Sequence, residues 1–148
     1  MIMKLIMKQI KDIKRKLELE KWEQYYNPEF DWGDWEFYAD NTLTEDFIRE
    51  FKDKVDWEYI SEFQKLSEDF IREFKNRVDW YWISKCQDLS ENFIREFQDN
   101  VSWSFVSINQ KLSENFIREF QDKVDWFWIY TYQTLSKEFK EEFKNKIK

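Results

Sequence analysis

Residues 66–88 read LSEDFIREFKNRVDWYWISKCQD, and this phrasing returns every 23 residues through most of the chain. Leu43, Leu66, Leu89, Leu112 and Leu135 open five units in one register: 43–65, 66–88, 89–111, 112–134 and a shortened 135–148. In the four complete units Leu, Glu, Phe, Ile, Arg, Glu, Phe, Val, Trp and Gln hold fixed places, ten of 23 positions. Strict repetition at this length is the mark of a repeat architecture, in which each unit is one supersecondary element that needs its neighbours.

Each unit reads as two short helices. Ser67 is a natural N-cap, because its hydroxyl can accept an otherwise unpaired amide of the first turn. Leu66 precedes that cap and Ile71 sits at the fourth helical position, the spacing of a hydrophobic staple. Phe70, Phe74 and Val78 continue an apolar face at four-residue steps. Glu68 lies four residues before Arg72, the favourable order for an ion pair along a helix. The second half repeats the device: Asp79 caps, and Val78 and Ile83 staple. Val55–Ile60, Val101–Val106 and Val124–Ile129 form the same pairs, with Ser102 in the capping place of the third unit. The recurring Val-Asp-Trp is therefore a helix start signal, with Trp at the first helical position. One continuous coiled coil is excluded, since 23 is a multiple of neither seven nor eleven and caps recur mid-pattern.

Composition agrees with helices. The 148 residues hold 42% hydrophobic and 21% aromatic side chains but one Gly and one Pro, too few turn formers for an all-β fold. Helices this short are marginal alone, so the expected fold is an all-α solenoid of stacked helix pairs. In the last unit Lys140 and Glu141 replace the Ile and Arg of the others, while Phe139, Phe143 and Ile147 keep one apolar face, as a terminal cap would. Residues 1–26 are expected to form a long basic helix. Residues 27–33 should be a bend at Pro28 and Gly33. Residues 34–42 should be an irregular first turn, since DWEFY at 34–38 echoes DWEYI at 56–60 but its next Leu arrives one residue early. Residues 27–42 are thus a degenerate repeat before the array of 43–148, and the whole is expected to be one compact unit.

Net charge is −7, unevenly spread: residues 1–17 hold six Lys and Arg against Asp12, or +5, which leaves −12 for the remainder. An acidic body repels phosphates, so direct nucleic-acid binding is disfavoured and a basic protein partner suits it. Cys86 is the only cysteine, so an internal disulfide or a thiolate metal cluster is excluded and a reducing, cytoplasmic compartment is expected. No apolar run is long enough to cross a bilayer, and charges interrupt the first residues too often for a secretory signal.

The chain has no His, no Gly-rich phosphate loop, no nucleophile motif and no metal-ligand cluster. It is therefore expected not to be an enzyme, with no catalytic, cofactor-binding or metal-binding residues. Trp57, Trp80, Trp103 and Trp126 could be an aromatic ladder for a ligand, but their place beside the stapling Ile favours core packing. Arg49, Arg72, Arg95 and Arg118 read as a solvated ion-pair stripe. Gln64, Gln87, Gln110 and Gln133 read as carbonyl caps or bonds between repeats. A repeat array keeps its packing positions and varies its exposed ones. The varying side chains on the second helices include Glu58 and Glu62 in the first unit, Tyr81 and Lys85 in the next, then Ile108, then Phe127 and Tyr130. These seven are the candidate partner-binding residues, an apolar patch ringed by acids. Met3, Ile6, Ile10, Ile13 and Leu17 form a short seam at 3–4–3–4 spacing on the basic helix. That seam could dock on the array, pair with a second copy or rest on an anionic membrane. The lack of bulky aromatics within it favours docking or self-association.

The recurring LSEDFIREFKNRVDWYWIS, over residues 43–148, resembles tandem short-helix repeat proteins of large DNA viruses, phages and some low-GC bacteria. The resemblance implies a scaffold that acts by contact, plausible in an infected host cell, and is silent about activity. Three functions are expected. The first is a protein-binding helical repeat module that uses the variable face of its second helices. The second is a small acidic anti-defence inhibitor of a basic, nucleic-acid-handling host enzyme. The third is a scaffold that assembles through the N-terminal seam.

Overall fold

The 23-residue period becomes two helices per unit because two different caps interrupt it. A computed structural model describes residues 1–146, leaving aside the side chains of residues 18 and 19; the terminal-cap role of Ile147 falls outside them. The described residues form α-helices and two short 3-10 turns, with no strand among them. Packing divides the chain into two compact units, Met1–Gly33 and Asp34–Lys148, where the sequence pointed to one.

The first unit is α1 (Ile2–Lys21) followed by a 3-10 turn at Glu23–Tyr26. The helix stops at Lys21, short of the expected residue 26. Beyond it an aromatic knot gathers: the rings of Tyr25 and Phe30 are 5.0 Å apart, and those of Phe30 and Trp32 4.8 Å. Arg15 lies over the Trp22 ring at 5.8 Å.

The second unit alternates first helices with second helices. First helices are α3 (Glu45–Glu50), α5 (Glu68–Glu73), α7 (Glu91–Glu96), α9 (Glu114–Glu119) and α11 (Lys137–Glu142). Second helices are α2 (Trp35–Asp40), α4 (Trp57–Phe63), α6 (Trp80–Cys86), α8 (Trp103–Asn109) and α10 (Trp126–Tyr132). The second helices pack in series, α2 on α4, α4 on α6, α6 on α8 and α8 on α10. Thr44, Ser67, Ser90, Ser113 and Ser136 cap the first helices, each hydroxyl accepting from the amide three residues on. Asp34, Asp56, Asp79 and Asp125 cap second helices, each carboxylate accepting from the amide two residues on and, in all but Asp34, also from the amide three residues on. Ser102 departs from expectation: it holds the capping backbone geometry without a side-chain bond.

The core follows the repeat. Phe70, Ile71, Ile83, Phe93, Ile94, Phe116, Ile117 and Ile129 are fully buried, and Leu66, Val78, Leu89 and Val101 nearly so. In the last unit Phe139 and Phe143 are buried while Lys140 is exposed. Residues 34–42 are more regular than expected. Asp34 caps α2, and Tyr38 is fully buried. Its phenol oxygen accepts from the Asp56 amide at 2.8 Å. In later units that bond belongs to the hydroxyls of Ser61, Ser84 and Ser107, which accept from the amides of Asp79, Ser102 and Asp125 at 2.9–3.0 Å. Tyr38 lies 22 residues before Ile60 and 23 before Ser61. One side chain thus fills the core as Ile60 does and makes the hydroxyl contact of Ser61, which absorbs the missing residue.

Gln87 is the test of this packing. It is buried, and its amide nitrogen donates to the carbonyls of Ser61 and Gln64 at 3.1 and 2.7 Å while its oxygen accepts from the Leu66 amide at 3.0 Å. Gln87→Ala leaves those buried groups without partners, each costing about 1–3 kcal/mol less whatever water regains. A loss of about 2–4 kcal/mol is expected from urea denaturation, against under about 0.5 kcal/mol for the exposed Lys75→Ala.

Candidate protein-interaction face

Four kinds of recurring side chain make contacts that join successive units. The first is the glutamine. Gln64, Gln87, Gln110 and Gln133 each reach back one unit, donating to two carbonyls and accepting one amide. The second is the buried serine. Ser61, Ser84 and Ser107 donate to the carbonyl four residues back at 2.7 Å and accept an amide from the next unit. Nothing in the sequence analysis singled out these serines, although their recurrence four residues after Trp57, Trp80 and Trp103 was a visible signal.

The third is the arginine. Arg49, Arg72, Arg95 and Arg118 bind Glu73, Glu96, Glu119 and Glu142 of the next unit at 2.8–2.9 Å. Their distances to the Glu four residues before are longer, 3.7–3.9 Å. Arg49 and Arg72 also pair within their own helices, with Asp46 and Asp69 at 3.0 and 2.9 Å, so the guanidinium ties its own helix to the next unit rather than serving one helix alone. That upstream Glu is taken by the next unit's capping serine: Glu45, Glu68, Glu91 and Glu114 accept from the amides of Ser67, Ser90, Ser113 and Ser136 at 2.6–2.7 Å. Each guanidinium also lies about 5 Å over a Phe ring of the following unit, such as Arg72 over Phe93 at 5.0 Å. The bond to Glu96 raises the pKa of Arg72 further, so this contact stays charged.

The fourth is the tryptophan, and here expectation needs correction. Trp57, Trp80, Trp103 and Trp126 are half-buried rather than core. Each ring lies against the Phe pair of the next unit, Trp57 being 4.8 Å from Phe74, and each indole N–H donates to the carbonyl five residues back at 2.9–3.0 Å. They close the seam between a second helix and the following first helix. As the first residue of its helix, each Trp lies at the margin of the apolar face, where a large ring is covered on one side only.

The variable positions of the second helices remain. A half-buried aromatic row, Tyr59, Trp82, Phe105 and Trp128, runs along them, one ring per unit. Exposed rings stand beside it: Phe63, Tyr81 at 50% exposure, Phe127 at 65% and Tyr132. Three of the seven candidate residues come together around Trp82. Tyr81 packs edge-on against Trp82 and Phe105, at 5.0 and 4.8 Å. Lys85 places its ammonium 4.5 Å from the Trp82 ring. Glu58 accepts from the Trp82 indole at 3.4 Å. Phe127 joins a second cluster with Trp128 at 4.7 Å, and Trp128 lies 5.7 Å from Tyr132. Ile108 and Glu62 are half-buried, and Glu62 lines a small cleft of about 230 Å³ with Phe63 and Cys86. Tyr130 takes the place of the buried serine in the last complete unit. It is half-buried, its hydroxyl donates to the Lys140 carbonyl at 3.3 Å, and the Lys140 ammonium lies over its ring at 5.8 Å. It is held by the end of the array more than it belongs to the open face. Tyr132 and Phe63 belong to that face and were not among the sequence candidates, because both stand at a helix end where only the structure decides exposure.

No group of three or more His, Cys, Asp or Glu side chains that could hold a metal is present among the described residues. Partial burial pushes the Cys86 thiol up, Lys85 opposes the shift and Glu62 adds to it. A raised thiol is a poorer thiolate nucleophile at neutral pH. Met3, Ile6, Ile10, Ile13 and Leu17 all lie exposed on α1. No helix of the described residues is long and apolar enough to cross a membrane. No family model, curated protein or solved structure matches the chain.

The capping carboxylates make a pH prediction. The Ser136 amide, then its hydroxyl, hold the Glu114 carboxyl below its ordinary value; burial opposes this and Arg118 reinforces it. A folded pKa lower than the unfolded one stabilises the fold above the ordinary glutamate range, and that contribution is lost as pH falls through the lowered value. Carboxyl-carbon NMR should show Glu114 titrating lower in the folded chain than in the urea-unfolded chain. Coincident titrations would mean that the bond to Ser136 is not kept in solution.

Proposed function

We propose that the chain is a non-enzymatic protein-binding module, an α-solenoid whose partner is recognised by the variable outer face of the second helices. One observation carries the reading. The recurring Gln, Arg and Trp and the three buried serines are occupied in joining one unit to the next. Large exposed rings are left on α4, α6 and α10, where stacking does not require them: Phe63, Tyr81, Phe127 and Tyr132. Aromatic side chains that are exposed in the free chain and flanked by polar residues are the usual anchors of a protein interface.

The partner is a basic protein. Residues 34–148 hold 17 Lys and Arg against 25 Asp and Glu, a net −8. The face itself displays how a cation would be received, since Lys85 already sits among the rings of Tyr81, Trp82 and Phe105. This charge balance also favours a sharper form of the same reading: inhibition of a basic, nucleic-acid-handling enzyme whose phosphate-binding groove the acidic array would cover. The resemblance to viral and phage repeat proteins makes an anti-defence role in the host cytoplasm the natural setting.

Affinity purification of the tagged full chain from its host, at low and high salt, tests the reading against a doubly substituted control. Tyr81→Ala with Phe127→Ala should leave the melting temperature within about 2 °C of the parent, since exposed substitutions shift stability little. The same pair should weaken partner binding by roughly 30-fold or more, the loss expected of an interface anchor of about 2 kcal/mol. Retained binding, or a partner held equally at high salt, contradicts the proposal.

A further inference from the structure

The first unit presents a separate surface that the array reading does not use. α1 is 20 residues long, about 30 Å at the usual helical rise. At 100° per residue, Ile2, Met3, Ile6, Ile10, Ile13 and Leu17 fall in one stripe, with Leu5 and Met7 just beyond the residues that flank it. All eight are between 43% and 76% exposed. Lys4, Lys8, Lys11 and Arg15 occupy the opposite face, and Lys14 and Lys16 flank the stripe on either side. Arg15 holds the Trp22 ring from the basic side of the helix, so this contact leaves the stripe open. The stretch carries +5 over residues 1–17.

We infer that α1 lies in the plane of an anionic phospholipid surface, with the Ile/Met/Leu stripe in the acyl boundary and the lysines at the headgroups. Such a surface offers apolar depth and negative charge together, and that combination in α1 outweighs the missing aromatics that favoured docking or self-association from sequence. Lys14 and Lys16, at the borders of the stripe, can run their methylenes along apolar ground and leave their ammonium groups among phosphates.

A second copy suits the stripe less well. The seam from Met3 to Leu17 covers about two heptads, below the three or four that sustain a coiled coil. Each copy would bring +5 against +5. No polar side chain stands within the stripe to set a register, as a specific helix pair commonly requires; a fluid surface needs none. The helix is long enough to span but too charged to do so, so it lies on the surface rather than across it.

Co-sedimentation of the full chain with large vesicles tests this. The chain should pellet with vesicles of phosphatidylcholine and phosphatidylserine at low salt, stay in solution with phosphatidylcholine alone, and be released by salt. Ile6→Glu and Ile10→Glu should each weaken the vesicle affinity by roughly tenfold or more, from the apolar burial lost. Lys14→Gln and Lys16→Gln should each weaken it by about fivefold. The array's thermal melt, followed by circular dichroism, should be unchanged in all four variants. Light scattering without vesicles should give a monomer. Three results would overturn the inference: no binding to the anionic vesicles, binding indifferent to Ile6→Glu and Ile10→Glu, or a dimer that those two substitutions dissociate. The last would assign the stripe to a second copy.

Discussion

The array depends on a buried glutamine amide at each junction. A helix of six or seven residues cannot persist alone, because few of its backbone groups are satisfied within it and nucleation is unfavourable. The chain between units is neither helix nor strand, so its carbonyls and amides need partners from elsewhere. Gln87 supplies three at once, two carbonyls in the preceding unit and the Leu66 amide. The arrangement uses both donors and one acceptor of the side chain and ties backbone to backbone across the junction. Apolar burial of Phe, Ile and Val drives the stacking, but it has little direction. The glutamine, with the serine hydroxyl beside it, sets the register in which that burial occurs.

Much of this was legible in the residues. Ser67 and Asp79 as caps, the staple residues as core and the division of 66–88 into two helices all follow from local rules, since a cap and a staple act within one turn of the chain. Interactions across a junction were harder to read. Arg72 has an acid at helical spacing in Glu68, and the sequence offers no reason to prefer Glu96, 24 residues on. The preference is created when stacking brings the next first helix alongside. Trp80 was misjudged for a related reason: it stands between the stapling core residues Val78 and Ile83, yet its ring lies at the margin, over Phe97 of the following unit. The irregular start was misjudged because Tyr38 meets two requirements with one side chain, a substitution visible only once its hydroxyl is seen at the Asp56 amide.

The candidate face was legible in outline and not in detail. Comparing units located Tyr81, Lys85 and Phe127 because they vary where stacking residues do not. The same comparison counted Tyr130 as exposed, since it stands where others have serine. A buried serine that serves the next unit is replaced by a tyrosine held at the Lys140 carbonyl where the array ends. Variation between repeats therefore has two sources, partner contact and the special needs of the end units. Stacking residues shared by every unit and outer residues particular to each allow a surface to diversify without disturbing the fold. The basic helix α1 follows neither pattern, and its charge is opposite to that of the array.

Amide hydrogen exchange at the junctions tests the central claim most directly. The Leu66 and Leu89 amides lie outside any helix, and each donates to a buried glutamine oxygen, at 3.0 and 2.9 Å. If the glutamines hold the array, these two amides exchange only by cooperative opening, as slowly as the central helical amides of Ile71 and Ile94. Exchange at the rate of an exposed loop would contradict the account, and would mean that the units stack by apolar burial alone.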